Sequence, residues 1–152
     1  MTNIQIRPYY RKYPVVDLLT VAAETTLQME GKTGNLTIVL TGDNEIRELN
    51  RSFRKVDAAT DVLSFPSEEL DPETGLPYFG DIILSYPHAR KQAATEHHSA
   101  ADELTLLVVH GVLHLLKYDH STREERTKMW KKQAEILTAL RISMNSFTSL
   151  ET

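Results

Sequence analysis

Apolar and polar positions follow a regular period over most of the chain, and four short segments show the patterns typical of strands. Polar and apolar residues alternate over residues 3–7, and β-branched apolar residues fill residues 35–41. The segments TDVLSFP and GDIILS (residues 80–85) have the same character. Between these two, SEELDPETGLPYF is polar and contains Pro and Gly, which predicts a long exposed loop.

Five helices are predicted from apolar residues at helical spacing and from start and stop signals. The first three cover residues 14–30, 43–54 and 87–97. The fourth begins at an N-cap, Ser99, and the fifth begins with a capping box formed by Thr122 and Glu125. Asp43 is expected to be the N-cap of the second helix. The inward-facing stripe of that helix is expected to consist of Ile46, Leu49 and Phe53.

These elements predict an α+β fold with about four strands in one small mixed sheet, packed against about five helices. A length of 152 residues is typical of one domain with a core of its own. We assign residues 1–142 to this domain. The segment 143–152 has no periodicity, and we expect it to be a disordered tail.

Composition narrows the chemistry that the chain can use. The chain has no cysteine, so disulfides, iron–sulfur clusters and thiolate zinc sites are excluded. A formal net charge of −4 argues against indiscriminate nucleic-acid binding, although a local basic patch remains compatible with it. Neither a signal-peptide pattern nor a run of about 18 apolar residues is present, and we therefore expect a cytoplasmic protein without a membrane partner.

The stretch HGVLHLLKYDH, residues 110–120, contains the candidate site. The helix that Ser99 caps is apolar almost all round, which predicts that it is central and buried. His110 and His114 lie one turn apart on one face of it, and His120 follows after a turn. Buried imidazoles need partners for their ring nitrogens, and one metal ion would satisfy several at once. We therefore favour a divalent metal ion over three separately bonded core histidines. Three ligands would leave a position for water, as in catalytic zinc sites.

Two neighbours of these histidines bear on the chemistry. In HExxH zinc peptidases the residue after the first histidine is a glutamate that acts as general base, and here it is Gly111. A peptidase is therefore ranked low, and the glycine is expected to leave room beside the metal.

Asp119 either orients a ligand histidine from behind the metal or is simply a turn residue, and the sequence favours neither alternative.

Arg47, Arg51 and Arg54 share one face of the second helix at spacings i, i+4 and i+7. Such a row suits a phosphate backbone because guanidinium groups bind phosphate oxygens in a fork. From the row alone a solvated helix face is the better interpretation. Elsewhere Trp130, Tyr9, Tyr10 and Tyr13 are able to stack on nucleic-acid bases, but core or surface packing is the expectation for each.

The pattern HGxLHLxxYDH, preceded by TDVLSFP and GDIxxS, resembles the YbeY family of bacterial endoribonucleases, and the resemblance covers roughly residues 35–140. It implies that His110, His114 and His120 bind one divalent ion, usually taken as zinc. It also implies a functional arginine at Arg54. The family usually has glycine at the position of Lys117, where lysine would need about 1–2 kcal/mol to adopt the left-handed conformation of a helix end.

Together these observations predict a metal-dependent, single-strand-specific endoribonuclease that acts in ribosomal RNA maturation and ribosome quality control. RNA as the substrate, and the ribosomal subunit or its associated proteins as further partners, are implied by the resemblance alone. Arg54 and His114 are expected to be catalytic, and Arg47, Arg51 and Arg54 to contact the substrate. The alternatives are a non-enzymatic ribosome- or RNA-associated protein stabilised by its metal and, less favoured, a metallopeptidase. The three histidines also suit nickel, copper or iron.

Overall fold

A mixed sheet organises the molecule. The computed structural model, which describes residues 1–142, contains the strands β1 (Thr2–Ile6), β2 (Asn35–Thr41), β3 (Val62–Pro66) and β4 (Tyr78–Ser85). Their order in the sheet is β1-β2-β4-β3. β1, β2 and β4 are parallel, whereas β3 pairs antiparallel with β4 and forms one edge. Parallel neighbours need long crossovers, and helices supply them.

Five helices connect and cover these strands: α1 (Val16–Met29), α2 (Asp43–Arg54), α3 (Tyr86–Thr95), α4 (Ala100–Leu115) and α5 (Arg123–Ala139). One turn of 3₁₀ helix at Pro8–Tyr10 follows β1. The predicted single α+β domain with four strands and five helices is confirmed. Among residues 1–142, no helix combines the length and the apolar character that crossing a membrane requires. The prediction of a disordered tail at 143–152 lies outside the described residues.

The main core lies between one face of the sheet and the helices α1, α4 and α5. Leu36, Ile38 and Leu40 alternate along β2 onto this face and have no exposed surface. Every side chain of α4 from Leu104 to Leu113 is buried, as expected for a helix without a polar stripe. Since burying a large apolar side chain contributes about 1.5–3 kcal/mol, α4 is a rigid support for whatever its last turn carries.

The opposite face of the sheet is covered by α2. Ile46 is fully buried there against Val39, Leu63 and Ile83, with Leu49 partly buried beside them. The prediction that Phe53 faces inward is wrong, since 67% of this residue is exposed. It lies in the last turn of α2 and packs edge-on against Phe65 near the end of β3, at the rim of the sheet.

Two element boundaries also differ from prediction. Asp43 is the first residue of α2 and not its cap. Gly42 is the N-cap, and the Asp43 carboxylate instead accepts a hydrogen bond from Ser85 Oγ at 2.6 Å. The predicted loop before β4 ends earlier than expected, because Tyr78 already pairs with Asn35 of β2.

The caps at Ser99 and Thr122 are confirmed. Ser99 Oγ accepts from the Asp102 backbone N–H at 3.0 Å, and Thr122 Oγ1 accepts from the Glu125 N–H at 3.1 Å. These caps fix where α4 and α5 begin, and with them which faces the two helices present to each other.

Candidate metal centre

The last two turns of α4 carry His110 and His114 on one face. Gly111 lies between them but does not face them. A Cβ at Gly111 would meet three atoms of Ile82 on β4 at 3.1–3.3 Å. The glycine therefore allows α4 to approach the sheet closely, and the expectation that it leaves room beside the metal is wrong.

A tight turn after α4 brings the third histidine back. The N–H of Tyr118 donates to the Leu113 carbonyl and that of Lys117 to the His114 carbonyl, each at 3.0 Å, which is the pattern of a Schellman helix end. Lys117 adopts a positive φ of 78° there, the conformation that the family glycine would take freely. The Tyr118 hydroxyl donates to Glu30 Oε1 at 2.6 Å, which fastens the turn to the end of α1. His120 is thereby directed back towards α4.

The three imidazoles converge on one point. One nitrogen from each of His110, His114 and His120 lies within 4.8 Å of the other two. Ring centroids are separated by 4.6 Å between His110 and His114, 4.8 Å between His114 and His120, and 5.7 Å between His110 and His120. His110 is buried, while His114 and His120 are partly exposed. Such a cluster has one side open to solvent.

His110 is held from α5. Its Nδ1–H donates to Gln133 Oε1 at 3.0 Å, which leaves Nε2 as the nitrogen available to an ion. Gln133 has no exposed surface. It lies on α5 among the buried apolar residues Met129, Ile136 and Leu137, and the sequence assigned it no functional role. The one available signal was a polar side chain in an otherwise apolar stripe.

The chemistry of the cluster fits a transition-metal ion. Nε2 of His120 is buried and has no hydrogen-bond partner within residues 1–142, so a ligand to this nitrogen would satisfy it. Burial, and then the neighbouring His114, lower the pKa of His110 to about 3. Burial, and then the neighbouring His120, also lower the pKa of His114. Neutral imidazoles are the form that binds metal, and three of them suit zinc and its neighbours in the first transition row.

A cavity of about 260 Å³ opens onto the three histidines. Residues of β3, the turn after α4 and the end of α2 share its wall, which consists of Arg54, Val62, Leu63, Ser64, Pro66, His110, His114, Asp119 and His120. Arg54 ends α2 because Lys55 takes the left-handed conformation at φ 62°. Within residues 1–142 Arg54 forms no ion pair, so its guanidinium is available to an anion in the cavity.

The other two arginines of the predicted row do not reach this cavity. Arg47 pairs with Asp57 at 2.8 Å, and Arg51 pairs with Glu48 at 2.9 Å. Both side chains line a separate surface depression on α2. The structure thus brings Arg54 to the histidines and leaves Arg47 and Arg51 in ion pairs outside. Their predicted substrate contacts stay predictions.

Asp119 lies at the mouth of the cavity and shapes the turn. Its carboxylate accepts from the His120 backbone N–H at 2.7 Å and from Ser121 Oγ at 2.8 Å. The Ser121 hydroxyl and the His120 N–H lower the pKa of Asp119, which keeps it anionic. These bonds fix the backbone that carries His120. Any orientation of a histidine ring by Asp119 stays a prediction.

Comparisons with known proteins agree with this geometry. The family model described as Endoribonuclease YbeY matches residues 8–141. The Endoribonuclease YbeY of Halalkalibacterium halodurans is 44% identical over 131 residues, with 81% of this chain and 82% of the relative covered. That of Shouchella clausii is 45% identical over 133 residues, covering 81% of each.

A solved structure has a similar fold over almost the whole chain. The solution structure of TM1509 from Thermotoga maritima matches with a TM-score of 0.61 and 29% identity, covering 93% of this chain and 92% of that one. The fold, the histidine pattern and the curated relatives therefore agree, and the chain belongs to the Endoribonuclease YbeY family.

Proposed function

We propose that this protein is a metal-dependent endoribonuclease that hydrolyses phosphodiester bonds in single-stranded ribosomal RNA, in the cytoplasm, during rRNA maturation and ribosome quality control. Its cofactor is one divalent ion, zinc foremost, held by His110, His114 and His120. The name that the curated relatives share supports RNA cleavage. Ribosomal RNA as the substrate is carried over from the family resemblance of the histidine motif.

One observation carries the proposal: three imidazoles line the same small cavity as the Arg54 guanidinium, which forms no ion pair within residues 1–142. Held by the three histidines, a divalent ion would supply Lewis-acid chemistry to a phosphodiester near neutral pH. Arg54 would bind the phosphoryl oxygens and stabilise the charge that develops on them in the transition state. The cavity, at about 260 Å³, favours a single strand because an isolated nucleotide unit can enter it more easily than a paired helix.

Gln133 behind the cavity and the apolar residues in its wall position these groups and the substrate. Gln133 holds His110 in the tautomer that is protonated at Nδ1, which leaves Nε2 free to bind the ion. Leu63 and the partly buried Val62 give one side an apolar surface, which limits the water around the phosphate. His114, as a proposed metal ligand, lines the cavity and is partly exposed, whereas His110 is buried.

The experiment that tests the proposal is cleavage of a single-stranded ribosomal RNA fragment by metal-loaded protein. His114→Ala should abolish cleavage because it removes a ligand. Arg54→Ala should lower kcat about 100-fold, the usual effect of removing one donor that stabilises developing charge. Circular dichroism and thermal melting of each variant would establish that it is folded.

Arg47→Ala is the matched control, because Arg47 is an exposed arginine on the same helix whose guanidinium is paired with Asp57 outside the cavity. We expect it to cleave within about threefold of the wild type, because its guanidinium is engaged by Asp57 and does not line the cavity. Equal cleavage by all preparations would identify a contaminating nuclease and overturn the proposal. A similar loss in Arg47→Ala and Arg54→Ala would instead place the whole arginine row on the substrate.

A further inference from the structure

The segment PYYRKYP after β1 builds an aromatic surface away from the histidines. Tyr13 stacks on Tyr86 with ring centroids 4.1 Å apart, and Tyr10 packs against Tyr86 at 6.0 Å. Tyr86 is buried and belongs to the core. Tyr9 is different: its ring contacts Tyr10 edge-on at 5.0 Å, yet 70% of the residue is exposed. An exposed aromatic ring on a rigid aromatic base needs an explanation beyond packing.

Cations surround these rings. Lys12 Nζ lies 4.2 Å from the centroid of Tyr9 and 5.5 Å from that of Tyr13, and the Arg90 guanidinium lies 5.9 Å from that of Tyr86. Within residues 1–142 neither Lys12 nor Arg90 forms an ion pair. Each positive charge is therefore held beside a ring and is free to attract an anion.

The surface also has space for a ligand. A cavity of about 370 Å³ is lined by Tyr9, Tyr10, Tyr13, Tyr86, Pro87 and Arg90. A second cavity, of about 760 Å³, shares Tyr13 with the first and is also lined by Arg11, by Asp17 and by Arg7, which is paired with Glu45. Neither cavity shares a residue with the one that the histidines line. The two depressions thus meet at Tyr13, and the cations Lys12 and Arg90 lie on the side of Tyr9 and Tyr86.

We propose that this tyrosine surface, formed by Tyr9, Lys12, Tyr13, Tyr86 and Arg90, binds single-stranded RNA at a site separate from the cleavage pocket. Base stacking on aromatic rings combined with cations for the backbone is the general means of binding single strands without sequence preference. An acidic peptide would use the cations but would leave the exposed ring of Tyr9 without a stacking partner. The choice of RNA over DNA rests on the proposed function.

The surface lies at the carboxyl ends of β1 and β4, where the 3₁₀ turn and Tyr86 follow these strands. The cleavage pocket lies instead along the edge strand β3 and the end of α4. An RNA held at both places would be anchored on one part of the molecule and cut on another. The tyrosine surface would therefore strengthen binding of long RNA and leave the cleavage of short RNA unaffected.

The test is binding of a fluorescent, 2′-O-methylated uridine 12-mer to metal-loaded protein, followed by anisotropy, with a gel to verify that the probe stays intact. Tyr9→Ala should raise Kd about tenfold, whereas Tyr9→Phe should bind normally because the ring remains. Lys12→Ala should lower the slope of log Kd against log salt by about one. Lys128→Ala is the matched control, since Lys128 is also an exposed lysine over a tyrosine ring, that of Tyr118.

The possible outcomes separate this proposal from the nuclease proposal. If the wild type binds the probe and Tyr9→Ala binds it equally well, the tyrosine surface is not an RNA site. If an oligoglutamate peptide binds in a Tyr9- and Lys12-dependent manner and the RNA probe does not, the surface docks a protein segment and the proposal is overturned. If binding depends on Tyr9 while metal-loaded wild type fails to cleave RNA, the nuclease proposal fails and this one stands.

Discussion

Gln133 is the residue through which α5 acts on the candidate metal centre. Its Oε1 accepts from His110 Nδ1, and both side chains are buried. The partner of a ligand histidine fixes its tautomer and its ring plane, and removing such a partner generally weakens metal binding about 10- to 100-fold. We therefore expect Gln133→Leu to raise the dissociation constant for zinc by about that factor, measured by competition with a chelator of known affinity.

Two further variants make this prediction specific. Gln133→Glu keeps an acceptor oxygen for His110 and should retain zinc affinity close to that of the wild type. Gln28→Ala changes an exposed glutamine on α1 and should have no effect. Unchanged zinc affinity in Gln133→Leu would mean that the His110–Gln133 hydrogen bond does not position the ligand.

The end of α4 offers a test at the level of an element. Lys117 holds the left-handed position of the helix end at φ 78°, and a residue with a Cβ is strained there by about 1–2 kcal/mol. Glycine would remove that strain but would gain freedom in the unfolded chain, which offsets about half of the benefit. The net expectation for Lys117→Gly is an increase of about 0.5–1 kcal/mol in the free energy of unfolding, measured by urea denaturation.

Lys117→Ala separates strain from charge. Lys117 pairs with Glu68 at 3.4 Å, with 60% and 85% of the two side chains exposed, so the pair itself contributes little. The alanine variant loses this pair and keeps the Cβ, and it should therefore show no gain in stability. Equal stability of the alanine and glycine variants would contradict the argument from backbone strain.

The elements followed from the sequence wherever one local rule decided them. α4 was predicted because its apolar residues leave no polar face, and its start followed from the Ser99 cap. Phe53 was assigned to the wrong side because helical spacing does not reveal where the sheet beneath α2 ends. The early start of β4 at Tyr78 depends on pairing with β2, which is a tertiary contact that the polar sequence before it conceals.

The residues of the candidate site were likewise predictable only where a local pattern identifies them. The three histidines share one motif, so spacing alone predicted that they converge. Arg54 was singled out by the family resemblance, since the arginine row on its own favoured a solvated face. The ion pairs of Arg47 with Asp57 and of Arg51 with Glu48 depend on the loop that follows α2 and on side-chain rotamers. Gln133 lies 23 residues from His110, and no local pattern connects the two.

At the scale of the whole molecule, the hydrophobic core can be compared with the proposed metal ion as a source of stability. The body of α4 is buried against the sheet, α1 and α5 by apolar contacts that do not involve His114 or His120. The histidines occupy only the last two turns of α4 and the turn that follows. The fold therefore does not depend on an ion to close its core, unlike small domains that are unfolded without metal.

This arrangement predicts how the protein responds to removal of its metal. The metal-free protein should keep its far-ultraviolet circular dichroism and a cooperative melting transition. Its Tm should fall by about 5–10 °C, the effect of losing a ligand present at about 100 times its Kd from a domain of this size. Cleavage of single-stranded RNA should be lost with the ion and should return when zinc is added back. Loss of helical signal on chelation would instead make the ion structural, and the non-enzymatic RNA-associated protein would then be the better explanation of the three histidines.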